Sequence, residues 1–126
     1  MSSNTTPATT DCAHFNFIYS SLGGIDLYLS LDNCCTWSTK KVQCDSENRI
    51  TWIVLENLQL DGSISPALGS LSKLKLFSLK NNKLIGKIPE NISLLSSLTN
   101  LTLSNNPQLE GSIPESLGKL ASLTIL

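Results

Sequence analysis

The sequence predicts an α/β solenoid, in which short parallel strands stack into one sheet behind a small disulfide-stapled N-terminal cap. Two observations carry this reading. First, one pattern is written three times in register: Ile53, Leu55, Leu60, Gly62 and Ile64, then Phe77, Leu79, Leu84, Gly86, Ile88 and Pro89, then Leu101, Leu103, Leu109, Gly111, Ile113 and Pro114. Gly62 to Gly86 is a step of 24 and Gly86 to Gly111 a step of 25, the extra residue falling at Pro107-Gln108 where the second copy has Lys83 alone. A period of that length is the signature of a stacked-repeat architecture. Second, all four cysteines, Cys12, Cys34, Cys35 and Cys44, precede the first copy.

Within each copy the alternation Leu-x-Leu predicts a short strand whose leucines point inward and whose intervening residues point outward. Asn82 and Asn106 stand where the chain turns off the sheet, and a buried amide there can satisfy backbone groups of its own and neighbouring turns. The following glycine permits a close backbone approach, and Pro89 ends extended structure ahead of a helical turn over Glu90–Leu94. The first copy departs from the pattern, with Leu58 in place of the asparagine and Ser65 in place of the proline. Leu120, Leu123 and Leu126 continue the register into a truncated fourth copy, so the chain is expected to be a fragment of a longer one.

Upstream, Met1–Thr10 is rich in Ser and Thr without the basic and apolar regions of a signal peptide, and is expected to be a disordered lead-in. Thr10 or Asp11 can cap a helix that carries Cys12, Phe15, Ile18, Tyr19 and Leu22 on one face and stops at Gly23-Gly24. Ile25–Leu31 alternates apolar and polar residues and reads as an extended, half-buried segment. An even number of cysteines at one end of a repeat stack indicates disulfides that staple a cap too small to build a sufficient core. Adjacent Cys34 and Cys35 are poorly placed to bond each other, because a bridge needs facing Cβ atoms ~3.8 Å apart. That leaves Cys12–Cys34 with Cys35–Cys44, or the crossed pairing. Zinc is the competing use of the four thiols, but no Cys-x(2–4)-Cys knuckle is present. The expected division is therefore a lead-in over 1–10, a cap over 11–48 and repeats over 49–126.

The composition is 40% hydrophobic and 15% charged, as in a packed protein. A formal net charge of −1 excludes nucleic-acid or anionic-membrane partners held by a basic excess. No apolar run approaches the ~20 residues a spanning helix needs. His14 is the one histidine and has no nucleophile or acid pair near it in sequence, and no metal knuckle, phosphate loop or hydrolase elbow is present. The chain reads as a non-enzyme that needs no cofactor and no metal.

The run Leu-x-x-Leu-x-Leu-x-x-Asn-x-Leu-x-Gly-x-Ile-Pro, filled by Leu74 to Pro89 and by Leu98 to Pro114, resembles the plant-type leucine-rich repeat family over roughly Ile50 to Leu126. Cys34-Cys35-x-Trp37 and Cys44-Asp45 are similar to the paired-cysteine cap that accompanies such repeats. The resemblance implies a right-handed horseshoe with a concave parallel sheet, and bridges Cys12–Cys34 and Cys35–Cys44. It also implies an extracellular recognition module of receptor-like proteins, with a protein, peptide or glycan as ligand. The location implied is secreted, or the outer side of the plasma membrane or cell wall, and a membrane anchor elsewhere in a longer protein is compatible with it. A secreted inhibitor of a cell-wall hydrolase and a passive matrix component are the alternatives.

Outward strand positions form columns across the expected sheet and are the candidate ligand contacts. Trp52, Leu76, Asn100 and Ile125 make one column; Val54, Ser78 and Thr102 a second; Glu56, Lys80 and Ser104 a third; Asn57, Asn81 and Asn105 a fourth; Thr51, Lys75, Thr99 and Thr124 line the other edge. Trp52 beside Leu76 places apolar surface where water is expected, as at binding hot spots, or else Trp52 folds back onto the cap. Glu56 and Lys80 are expected to form an exposed cross-strand pair. Three sequons, at Asn4, Asn91 and Asn100, are candidates for N-glycosylation, with Asn91 expected on the turn away from the sheet. Mass spectrometry under non-reducing conditions is expected to find two bridges and no free thiol; four reactive thiols would contradict the cap.

Overall fold

The computed structural model describes residues 10–26, 29, 33–111, 114–115 and 124–125. The lead-in, the Asn4 sequon, Ile113, the inward register of Leu120, Leu123 and Leu126, and most of the expected extended segment lie outside the described residues. Of that segment, Ile25 is 87% exposed and not half-buried, whereas Leu29 packs against the core.

The first element of the described residues is helix α1 (Asp11–Ser21). Thr10 caps it, its hydroxyl accepting from the Ala13 N–H at 3.1 Å, and Asp11 is thereby free for a different task. The helix buries Cys12, Phe15, Ile18 and Tyr19, Leu22 follows them into the core, and Gly23 at φ 92° ends the run. A single turn, α2 (Cys34–Trp37), carries the adjacent cysteines. Cys12 is bonded to Cys34 and Cys35 to Cys44, which is the uncrossed pairing and leaves no thiol for zinc.

Strand β1 (Val42–Cys44) pairs antiparallel with β2 (Ile50–Val54), and from there every pairing is parallel. Strands β3 (Leu76–Ser78), β5 (Asn100–Thr102) and β7 (Thr124–Ile125) complete a five-stranded sheet in the order β1-β2-β3-β5-β7. Beyond each turn off this sheet, β4 (Gly86–Lys87) and β6 (Leu109–Glu110) form a second, two-stranded parallel sheet. Helical 3-10 turns at Pro66–Ser70 and Glu90–Leu94 return the chain. Ser65 replaces the landmark proline because it does another job: its hydroxyl accepts from the Ala67 N–H at 3.1 Å, capping the turn that Pro66 begins.

The register places Trp52 beside Leu76, Leu76 beside Asn100, and Asn100 beside Thr124. The fourth strand thus corrects the expected columns: Thr124, not Ile125, continues the Trp52 column, and Ile125 pairs with Leu101. The strand-to-strand step is 24 at both junctions, Leu76 to Asn100 and Asn100 to Thr124, so the residue inserted at Pro107-Gln108 does not propagate into the sheet. The inward residues Ile50, Ile53 and Leu55, then Leu74, Phe77 and Leu79, then Leu98 and Leu101 are buried, and each contributes ~1.5–3 kcal/mol by leaving water.

Turning the chain off a parallel sheet exposes backbone groups that the sheet no longer pairs, and Asn82 takes them up. The Leu58 and Leu60 N–H groups donate to its Oδ1 at 3.1 Å each, and its Nδ2 donates to the Leu55 and Leu79 carbonyls at 2.7 and 2.9 Å. Asn106 repeats this one turn on, accepting from the Leu84 N–H at 3.2 Å and donating to the Leu79 and Leu103 carbonyls at 2.9 and 3.0 Å. Each asparagine serves the turn before it as well as its own, which is why the first copy tolerates Leu58: Asn82 already satisfies its turn.

The landmark glycines have two different causes. Gly86 and Gly111 sit at φ 79° and 75°, in the left-handed region that side chains avoid. Gly62 does not; a Cβ there would meet the Ser21 carbonyl oxygen at 2.0 Å, because the first repeat docks on the end of α1 through Gly62 N–H to Leu22 O at 2.9 Å and Ser63 N–H to Ser21 O at 3.0 Å. Since Asn82→Ala strands the Leu58 and Leu60 N–H groups and the Leu55 carbonyl at once, while the Leu79 carbonyl keeps Asn106, chemical denaturation is expected to show a loss of about 3 kcal/mol or more. A loss under about 1 kcal/mol, the range of a surface change, would mean the turn is held by other means.

Candidate ligand-binding face

The outward side of β2, β3 and β5 is built from side chains that the inward leucines leave unused. Trp52 lies between Gln43 on β1 and Leu76 on β3 and is half-buried, as is Leu76. Its neighbours therefore cover part of the ring and solvent reaches the rest. The aromatic interior of the cap is made instead by Trp37, whose ring centroid stands 5.4 Å from that of Tyr19 and 5.8 Å from that of Phe15. Lys41 holds its Nζ 5.1 Å over the Trp37 ring. Burial pushes the Tyr19 hydroxyl above its ordinary pKa, and the Asp26 charge adds to this.

Val54 and Thr102 flank Ser78 in the next column, but Ser78 is only 3% exposed and is not available to a ligand. Glu56 reaches across to it, its Oε2 accepting from the Ser78 hydroxyl. The expected Glu56–Lys80 pair is corrected by the same contact. The short serine reaches the carboxylate at small entropic cost, whereas a long lysine would have to be ordered to do so. Arg49 forms an ion pair with Asp11 instead. Lys75 and Lys80 remain exposed at the two ends of β3. Thr51 and Lys75 lie along the edge, where the Lys75 N–H donates to the Thr51 carbonyl at 2.8 Å and the Thr99 N–H to the Lys75 carbonyl at 2.8 Å.

The asparagine column has a conformational reason. Asn57, Asn81 and Asn105 take φ 57°, 61° and 60°, a left-handed conformation that asparagine tolerates better than other side-chain-bearing residues. Asn57 N–H donates to the Lys80 carbonyl at 3.2 Å and Asn81 N–H to the Ser104 carbonyl at 3.0 Å, and the amide of Asn105 donates to Asn81 Oδ1 at 2.6 Å. The column recurs because the chain must turn there. Ser104 is half-buried beside it. Asn100 is exposed on β5, its Oδ1 accepting from the Thr99 hydroxyl at 2.9 Å, and Asn91 is exposed on the 3-10 turn Glu90–Leu94.

Sequence reasoning missed the tie that fixes this face to the cap. Asp11, 5% exposed, accepts from Arg49 Nε at 3.1 Å and from the Ile50 N–H at 2.9 Å, and Arg49 Nη2 donates to the Ser72 hydroxyl at 2.7 Å. The first strand thus starts from a carboxylate on the cap helix. Asp11 sits 38 residues from Arg49, so no local pattern marks the pair. His14 is half-buried on the same helix and lines a polar hollow with Glu47, Asn48 and Ser70. Just before Arg49, Asp45 Oδ1 accepts from the Arg49 and Glu47 N–H groups at 3.0 and 2.8 Å. Those two donors, Arg49 first, hold its carboxyl below the ordinary carboxylate range, with the Arg49 and Lys73 charges adding to them and partial desolvation opposing.

Residues 73–95 and 97–120 match the family described as Leucine Rich Repeat. The second and third copies are leucine-rich repeats. Phytosulfokine receptor 1 of Arabidopsis thaliana is 36% identical over 79 residues, which is 61% of this chain and 8% of that protein. This chain thus spans less than a tenth of that relative's length. The ectodomain of the receptor kinase SOBIR1 from Arabidopsis thaliana matches at TM-score 0.76 and 28% identity, covering 94% of this chain and 65% of that one. The BIR3–SERK2 complex from the same plant matches at TM-score 0.76 and 31% identity, over 92% of this chain and 66% of that one. The Arabidopsis receptor kinase HAESA, solved with the peptide hormone IDA and the co-receptor SERK1, matches at TM-score 0.70 and 28% identity, over 92% of this chain and 20% of that one. The relatives are plant leucine-rich-repeat receptor-like kinases, and this chain carries the disulfide-paired cysteines ahead of its repeats. Among the described residues no helix is long and apolar enough to cross a membrane.

Because the folded pKa of Asp45 lies below its unfolded value, its contribution to stability is present above the ordinary 3.8 and is lost as pH falls through the folded pKa. Asp45→Ala is therefore expected to lower the melting temperature at neutral pH, and the gap to the parent protein to close in acid. A gap that persisted unchanged into strong acid would remove the Asp45 hydrogen bonds from the account.

Proposed function

We propose that this chain is a non-enzymatic recognition module of a plant-type leucine-rich-repeat ectodomain, working on the extracellular side of the plasma membrane or cell wall and holding a peptide or protein on its sheet. Residues 49–126 form turns of a right-handed horseshoe solenoid whose concave face is the outward side of β2, β3, β5 and β7, and residues 11–48 are its cap. The observation that carries the reading is the pairing of Trp52 with Leu76 on neighbouring strands, two large apolar side chains both left half-exposed on the outward face. A rigid sheet that keeps an aromatic and an aliphatic side chain at its surface has the makings of a hot spot. The match to receptor ectodomains, one of them solved with a peptide hormone, supports the same class of ligand.

The contact surface is Trp52, Leu76 and Asn100, with Thr51, Lys75, Val54, Thr102, Glu56, Lys80 and Ser104 around them and the asparagine column as its floor. Asn91 is the sequon whose glycan leaves this surface clear, since it lies on the 3-10 turn and not on a strand of the sheet. Peptides selected from a random phage-displayed library on the parent protein provide the test. Trp52→Ala is expected to weaken most of them by about tenfold or more while lowering the melting temperature by no more than a few degrees. Unchanged binding would move the site off the sheet, and a large thermal loss would make Trp52 part of the core.

A further inference from the structure

Residues 73–89 hold five lysines and no acidic residue, in a chain whose net charge is −1. The structure sorts these lysines. Lys73 stands near Asp45. Lys83 follows the turn at Asn82, and Lys87 lies on the second sheet. Lys75 and Lys80 bracket β3 on the ligand face, and both are exposed. The nearest carboxylate by register, Glu56, takes the Ser78 hydroxyl instead of a lysine, and neither lysine has an ion pair among the described residues. Two exposed cations without an ion pair therefore flank the half-exposed Trp52–Leu76 pair.

We infer that the face takes an acidic peptide, which seats one apolar side chain on Trp52 and Leu76 and places a carboxylate on either side of it, against Lys75 and Lys80. The inference rests on the proposed use of this face. Lys80 lies five positions after Lys75, a span of up to ~17 Å at the rise of an extended chain. With the reach of two lysine side chains, an extended peptide meets both with carboxylates four to six positions apart. An acidic polysaccharide satisfies the lysines equally, but it has no apolar side chain to cover Leu76. Ammonium groups at an exposed rim act mainly on encounter rate and specificity, so the preference for acid is strongest at low salt.

The probe is a fluorescent ten-residue peptide with a central phenylalanine and a glutamate three positions to either side, compared by anisotropy with its glutamine counterpart at low ionic strength. The glutamate peptide is expected to bind about tenfold more tightly, an advantage that shrinks as salt is raised. The double change Lys75→Gln with Lys80→Gln should erase that advantage, whereas Lys83→Gln with Lys87→Gln, of equal charge but off the face, should leave it within about twofold. Equal effects of the two pairs, equal binding of the two peptides, no binding of either, or tighter binding of polygalacturonate through Lys75 and Lys80 would each overturn the inference. If the two peptides bind equally and Trp52→Ala still abolishes both, the acidic preference fails and the ligand face stands. If Trp52→Ala changes neither, both fail.

Discussion

What this fold depends on is the supply of hydrogen bonds where each strand leaves the sheet. Parallel strands of two to five residues bury little backbone by themselves, and an unpaired buried amide at the turns between the two sheets costs on the order of 1–3 kcal/mol. Asn82 and Asn106 answer this with one side chain each, placed so that every amide serves two successive turns. The leucines supply the attraction, but they are non-directional. The asparagines set the spacing of the turns, and with it the alignment of outward residues into columns.

The second dependence is at the cap. A stack of repeats needs an end that does not expose its interior, and here α1 supplies it with two bridges beneath and an aromatic cluster of Phe15, Tyr19 and Trp37. The junction has no apolar seam alone; it has an address. Asp11 holds Arg49 and the Ile50 N–H, Arg49 reaches on to Ser72, and Gly62 closes on Leu22. These contacts link the helix to the first strand, the first turn and the start of the second copy. Trp52 and Leu76 are thus carried by backbone that the cap braces, the rigidity that the proposed recognition surface requires.

The inward half of this architecture was legible in the sequence, because a repeated pattern reports its own periodicity. Phe77, Leu79, Asn82 and Leu84 fall where the register puts them, and the buried face of α1 is the one its spacing predicts. The outward half was legible only as positions. That Ser78 would turn to Glu56, removing both from the pairs and contacts expected of them, depends on side-chain reach across two strands, which spacing does not encode. Asn57, Asn81 and Asn105 were visible as a recurring column, but the left-handed backbone that makes them recur was not. Ile125 was displaced from its column by a single-residue insertion that the loop absorbs, and a one-residue slip is what separates the two faces of a strand. Asp11 escaped notice since a helix start offers an acidic residue an obvious local use.

If cap and repeats are one braced body, the amides at their junction and those inside the repeats must open together. Native-state hydrogen exchange at Ile50, Gly62 and Leu60, whose N–H groups bond Asp11, Leu22 and Asn82 respectively, measures this directly. The account predicts that all three exchange with the same opening free energy and the same denaturant dependence, as parts of a single cooperative unit. Ile50 and Gly62 exchanging through a separate, much cheaper opening while Leu60 stays protected would show a cap that merely rests on the repeats, and a proposed ligand face without its brace.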